Sequence, residues 1–320
     1  MFSRKLTPLF LGALVAAVLA TSCSQAEEKK PATGGPSSVW RVEKDGKRIY
    51  IGGTIHLLRE KDHPLPDVFQ QAYADSTKLV FELPPDSDGD GEIVLRMRQM
   101  GSYGTDGELG DHVSAETLKT VHAWAAANGF PKASINRLRP WYLALTVAAI
   151  EYGKLGAEPE RGVDAHFEKL AKEDGKAAEG LESVEFQLSI FSKLSDKLQE
   201  ELLLQTFTEA QTAAQDFTEL IGAWRSGDAP KLQEFLFRDA DKYPELMEDF
   251  LFKRNRAWVK PLLKHLQNGE RVFVLVGAGH LGGKEGVLEL LKAKGCTVTQ
   301  LGLIADEPKA KPVTAPVTIR

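Results

Sequence analysis

Apolar positions change their period along the chain. Near the start, β-type residues fill 39–44 and 48–51, and Asp45-Gly46 lies between them, which predicts a hairpin closed by a tight turn. Residues 66–74 carry helical spacing, and the nearly unbroken apolar run 78–83 predicts a buried strand. From about residue 92 to 268, apolar residues recur at three- and four-residue spacing, most clearly over 141–152, 198–224 and 243–266. Gly or Pro punctuates this stretch at 129–131, 156, 175 and 227–230, and a short strand is expected at 177–181. Strand character returns at 271–276, followed by a helix over 284–293 and a last strand over 296–299. Strand-rich ends around a helical middle predict an α/β fold: a mixed central sheet built from the N- and C-terminal segments, covered by the long helical region.

The first residues follow a different rule. In 1–22 a basic start (Arg4, Lys5) precedes an apolar run at 9–20, too short for a comfortable membrane span and right for a secretory signal. Ala20-Thr21-Ser22-Cys23 resembles a bacterial lipobox, with Ala20 standing where an aliphatic residue is usual. The expectation is cleavage before Cys23, lipidation of Cys23 and anchoring to the bacterial cell envelope, at the periplasmic side of the outer membrane in a Gram-negative cell. A soluble periplasmic or secreted product is the alternative. Polar 23–38, rich in Pro, Gly and Ser, reads as the lipidated end and a flexible tether, 39–305 as the domain and 306–320 as a loose tail.

Composition narrows the function classes. A chain of 320 residues, 42% hydrophobic and 27% charged, has ample material for a core. Its net charge of −5 becomes −5 − 2 = −7 once Arg4 and Lys5 are removed, which argues against a nucleic-acid partner. There are 2 cysteines; with Cys23 lipidated, Cys296 is left alone as a buried thiol, and stability must come from packing.

The candidate chemistry lies at the two ends. Gly53-Thr54-Ile55-His56 and Gly277-Ala278-Gly279-His280 each close an apolar strand with G-x-x-H. Ligand crevices in α/β sheets lie beyond the carboxyl ends of strands, and glycine there permits a sharp turn. Glu82 interrupts the apolar run 78–83, where a buried carboxylate needs a cation, a hydrogen-bond network or a metal; a place in water at the strand's end, or an arginine partner, is the alternative. Together His56, Glu82 and His280 form a candidate His/Glu/His metal and catalytic site.

At these residues the chain resembles the TraB/PrgY/GumN family, related to the Tiki metalloproteases, over nearly all of 39–305. The resemblance rests on Gly53-Thr-Ile-His56-Leu-Leu, Phe81-Glu82-Leu83, Arg139-Pro-Trp-Tyr-Leu-Ala144, Gly162-Val-Asp164, Gly180-Leu-Glu182-Ser, Arg254-Asn255 and Val276-Gly277-Ala-Gly-His280-Leu-Gly-Gly. It implies both G-x-x-H turns and the glutamate converging at a sheet edge, in a fold shared with erythromycin-esterase-like and haem-binding proteins. It also implies a divalent metal (Mn, Co, Fe or Zn) and hydrolysis of a peptide or amide bond in a peptide or small-molecule substrate. Glu82 would be a ligand or the base for a bound water. A non-catalytic envelope lipoprotein binding a peptide, haem or a polymer is the alternative.

Gly53, Arg139, Asp164, Glu182, Arg254, Asn255 and Gly277 are expected to support the site or touch substrate. Their simpler roles are a helix cap for Asp164, a helix start for Glu182 and an exposed ion pair for Arg254 and Asn255. Trp141 and Tyr142 read as core, and His63, His112, His122, His166 and His265 as loop or helix-surface residues. Gly277–Gly282 matches G-x-G-x-x-G, but Gln300 stands after the next strand where an acid would hold a ribose. Asp86-Ser-Asp88-Gly-Asp90 opens like a calcium loop, yet Met97 occupies its twelfth position. Neither H-E-x-x-H nor G-x-S-x-G occurs.

Overall fold

The computed structural model describes residues 35–85, 92–105, 107–236 and 244–303. The signal segment, Cys23, the calcium-like 86–90 and the tail from 304 onward lie outside the described residues.

Six strands form one sheet in the order β4-β3-β5-β2-β1-β6. They are β1 (Gly35–Lys44), β2 (Lys47–Thr54), β3 (Lys78–Phe81), β4 (Ala177–Gly180), β5 (Val272–Gly277) and β6 (Thr297–Leu303). The expected hairpin is present as antiparallel β1–β2, turning at Asp45 and Gly46, both with positive φ. β2, β5, β3 and β4 run parallel, and β6 closes the other edge antiparallel to β1. The sheet is thus the expected mixed sheet of N- and C-terminal strands, completed by β4 from the helical middle.

β1 starts at Gly35, ahead of the expected start at 39, because Ser37 and Ser38 are buried and donate to the carbonyls of Leu301 and Trp224. β3 stops at Phe81, so Glu82 leaves the ladder at the strand's carboxyl end.

The helices are α1 (Asp67–Ala74), α2 (Glu92–Met100), α3 (Ala115–Ala127), α4 (Lys132–Ile135), α5 (Pro140–Gly153), α6 (Val163–Asp174), α7 (Val184–Ser192), α8 (Asp196–Ala210), α9 (Ala213–Arg225), α10 (Ala229–Leu236), α11 (Pro244–Met247), α12 (Lys253–Asn268) and α13 (Val287–Ala293). The long period over 198–224 is broken between α8 and α9, where Gln211 and Thr212 form a turn. The stretch 243–266 contains a π-helical turn, Glu248–Phe252, that widens the helix just before α12.

The core is two apolar layers, one on each face of the sheet. The larger joins Phe273, Leu275 and Phe81 to Phe69, Trp141, Phe167 and Trp224, and includes Tyr142, as the sequence predicts. The smaller packs Val272, Val274 and Val276 against Trp258 and Leu262 of α12 and Leu291 of α13. Between these layers β5 is buried along its whole length. Cys296 is a buried free thiol, and burial pushes its pKa up. No helix among the described residues is long and apolar enough to cross a membrane.

Candidate functional site

The parallel register puts the carboxyl ends of β2, β5 and β3 side by side. Thr54 stands opposite Gly277, and Phe81 opposite Leu275. Each strand then releases one of the expected groups: His56 two residues after β2, Glu82 one after β3, and His280 three after β5. A methyl group built on Gly277 would lie 3.1 Å from Glu82 Oε1, 3.7 Å from His56 Nε2 and 3.7 Å from His280 Cδ2. The three side chains therefore converge on the Gly277 backbone, and any larger residue there would crowd Glu82.

His56 is held from α6. Its Nδ1 lies 2.6 Å from Asp164 Oδ2, and both side chains are nearly buried. Gly162 makes this approach possible, because a Cβ there would stand 2.2 Å from the His56 carbonyl oxygen. The Val163 amide donates to the Ile55 carbonyl, locking the start of α6 to the end of β2. Asp164 is thus the partner of His56, and Gly162 stands at the N-cap position of that helix. Burial alone would lower the pKa of His56, but the charge and hydrogen bond of Asp164, with Glu82 and Glu168, raise it to about 9.

His280 is held from α12. Asn255 Nδ2 donates to the Glu285 carbonyl, which turns Asn255 Oδ1 toward His280 Nδ1 at 2.6 Å. That acceptor fixes the proton on Nδ1, so Nε2 accepts from Arg254 Nη1 at 3.1 Å. Trp258 packs against the ring with centroids 4.4 Å apart. Burial, then Arg254 and His56, overcome the pull of Glu82 and push the pKa of His280 down to about 3.

Glu82 is neither in water nor unpaired. Oε1 accepts from the Gly277 amide at 2.7 Å, and Oε2 accepts from Arg254 Nη2 at 2.6 Å and Gln187 Nε2 at 3.2 Å. Burial favours the neutral acid, but His280, Arg254, His56 and the Gly277 amide together hold its pKa at about 2. Because His280 is itself neutral, Arg254 and His56 are the cations that keep Glu82 ionised.

Arg254 organises this side of the site. Its side chain is 1% exposed and also binds Glu182 through Nε and Nη2, while Nη1 donates to the Phe250 carbonyl. That carbonyl belongs to the π-helical turn. The alternative of an exposed ion pair is therefore corrected to a buried one: Arg254 and Asn255 follow the wider turn and face inward. Glu182 precedes α7 and accepts from Arg254, Gln187 and Trp258, while Ser183 caps the helix.

The other expected residues divide. Gly53 permits close packing: a Cβ would meet Leu281 and Ala278, in and beside the turn that carries His280. Arg139 serves elsewhere, with its guanidinium over Tyr103 at 4.7 Å and its amide bonded to Gly101. His265, expected on a helix surface, is buried and pairs with Glu179 and Glu270. Gln187 and Trp258 went unnoticed in the sequence; an amide and an aromatic ring on amphipathic helices carry no signal of their own.

The chain belongs to the TraB/PrgY/gumN family. The family model matches residues 38–300. Uncharacterized protein YbaP of Escherichia coli K12 is 23% identical over 246 residues, which cover 77% of this chain and 88% of that protein. Its namesake in Shigella flexneri is 27% identical over the same share. A metalloprotease TIKI homolog of Amphimedon queenslandica is 24% identical, covering 85% of this chain and 63% of the sponge protein. No solved structure gives a significant match.

The sponge relative is named a metalloprotease, and the donor geometry of this site can be set against a metal centre. His56 Nε2 and Glu82 Oε1 point toward Gly277, but His280 Nε2 is already bonded to a buried guanidinium that also holds Glu82. A three-ligand His/Glu/His centre does not fit this arrangement, because a fixed cation stands at the third donor. Among the described residues no group of three or more His, Cys, Asp or Glu is disposed to hold a metal ion.

Proposed function

We propose that this protein is a hydrolase of peptide or amide bonds in the bacterial cell envelope, with His56, Glu82 and His280 at its reacting centre. The observation that carries the reading is their convergence around Gly277, beyond the carboxyl ends of the parallel strands, where ligand crevices of such sheets form. The distant metalloprotease relative supports the reaction class. The signal-like 1–22 and Cys23 support the setting: export, lipid anchoring at Cys23 and a peptide or small-molecule substrate.

The protonation states assign roles. At neutral pH His56 is an imidazolium whose Nε2 points toward Gly277 and Glu82, set to donate to a leaving nitrogen. Glu82 Oε1 is a carboxylate oxygen able to orient a water, although a pKa near 2 makes it a weak base. Proton donation by His56 is therefore the larger contribution. Neutral His280, locked by Asn255 and Arg254, holds Arg254 in place and shapes the wall.

A second, metal-dependent reading has one observation in its favour. Both imidazoles give Nδ1 to a side-chain oxygen, as metal-bound histidines do. Mn²⁺, Co²⁺, Fe²⁺ or Zn²⁺ on His56, Glu82 and His280 would require Arg254 to release His280 Nε2.

A peptide-library cleavage assay on the native chain and on His56→Ala and Glu82→Ala tests the hydrolase. The expected result is a fall of about 100-fold or more in each variant. Equal activity in all three overturns the site. Metal content of untagged protein, compared with the His56→Ala/His280→Ala variant, separates the two readings, since only a metal centre makes the contents differ.

A further inference from the structure

On the face of α12 turned away from the sheet lies a groove of about 810 Å³, shared with α13. Its apolar floor includes Val259, Leu263 and Leu290. Lys260 and Lys264, one helical turn apart on α12, stand on one side, and Lys294, at the end of α13, on the other. All three are exposed, and among the described residues none of them has an ion-pair partner. Arg256 also lines the groove, but Glu248 and Glu285 neutralise it. The β1–β2 hairpin adds two more cations: Lys44 Nζ donates to the Lys294 carbonyl at 2.6 Å, and Lys47 Nζ donates to the Gln267 carbonyl. Asp45 is the acid of that turn.

A chain of net charge −5 does not collect unpaired lysines around an apolar floor through composition. Cationic rims over an apolar floor match a ligand with anionic heads and an apolar body. We infer that this groove is a docking surface for an anionic phospholipid bilayer, with Lys260, Lys264 and Lys294 on lipid phosphates and the half-buried Leu263 and Leu290 against the apolar layer beneath.

The chain ahead of the sheet is long enough for this. Eleven residues, 24–34, separate Cys23 from Gly35, and their twelve Cα–Cα steps reach about 40 Å when extended, whereas the ten-residue β1 spans about 33 Å. An anchor at Cys23 thus allows the α12–α13 layer to lie on the bilayer. His280 is held from the opposite, buried side of α12, so the docked surface and the reacting centre do not compete.

Lysine acylation by a water-soluble reagent, read by mass spectrometry, tests the surface on the full chain. The protein, lipidated at Cys23, is reconstituted in phosphatidylcholine vesicles with and without phosphatidylglycerol, and flotation verifies equal binding to both, so the comparison isolates lipid charge. Lys260, Lys264 and Lys294 should react about threefold or more slowly with the anionic lipid, at about 1 kcal/mol per lysine near the surface, and high salt should abolish the difference. Exposed Lys169 and Lys197, on α6 and α8, should react equally in both. In Lys260→Glu/Lys264→Glu, both groove-edge charges being exposed, Lys294 should lose its protection. Equal rates at the three lysines in both vesicles overturn the inference. Protection without vesicles that grows with protein concentration also overturns it, assigning the groove to a second copy of the chain.

Discussion

The two G-x-x-H turns are alike in sequence and opposite in charge. Each histidine leaves a parallel strand, and each gives Nδ1 to an oxygen 2.6 Å away. For His56 that oxygen belongs to a carboxylate, Asp164, and the pKa rises to about 9; for His280 it belongs to an amide, Asn255, beside the Arg254 cation, and the pKa falls to about 3. The motif sets where the rings stand, and the helices behind them set which ring carries a proton. At neutral pH the proton is thereby held on one member only of a symmetric-looking pair.

Removing the cation that makes the difference should have the largest effect. Arg254→Leu leaves Glu82 and Glu182 buried without their shared partner, which should destabilise the fold by about 3–5 kcal/mol in urea unfolding. A loss below about 1 kcal/mol would show that the two carboxylates do not depend on Arg254.

Exchanging the partners should exchange the titrations. Asp164→Asn removes the largest contribution raising the His56 pKa and leaves burial to act, so that pKa should fall well below 9 by NMR titration. Asn255→Asp supplies a carboxylate to His280, whose pKa should rise from about 3. Unmoved values in either variant would break the account of why the turns differ.

The same asymmetry gives each histidine its own limb of the stability profile. The folded-state pKa of His56 is raised, so its contribution is complete below the unfolded value of about 6.5 and is lost as pH climbs through 9. His280 is depressed: the unfolded chain takes up its proton below about 6.5 and the native chain only near 3, so stability falls across that window as pH drops. Glu82, held at about 2, adds a loss as pH falls below about 4.5. Each limb should slope by about 1.4 kcal/mol per pH unit per proton. His56→Gln should flatten the alkaline limb only, and His280→Gln should remove its share of the acid limb, as read by denaturation at stepped pH.

Much of this was legible from periodicity alone. Apolar runs marked β2, β3 and β5, and the groups that interrupt or close them are the ones that converge. Asp164 could be tied to His56 only once Gly162 let α6 touch the end of β2. For Arg254 and Asn255 the family pattern points to the site while helical periodicity through 243–266 allows an exposed ion pair; the π-helical turn decides their face, and no residue type announces such a turn. Arg139 matches the family pattern, and its place over Tyr103 has no signal in the sequence.

Gly277→Ala should change stability least and sharpen the comparison most. The backbone of Gly277, at φ −49 and ψ 134, suits alanine, so no conformational strain arises. The added methyl meets Glu82 Oε1 at 3.1 Å, a crowding that a small shift of the carboxylate relieves at a cost of about 1 kcal/mol or less. Yet the methyl would project among His56 Nε2, Glu82 Oε1 and the His280 ring, and would obstruct the approach of a substrate to the groups proposed to act on it. Hydrolysis should therefore fall by about 100-fold or more while the unfolding midpoint hardly moves and both histidines keep their separate pKa values. Full activity in Gly277→Ala would mean that the reaction takes place outside the space between the two turns, and that their opposite charges serve folding alone.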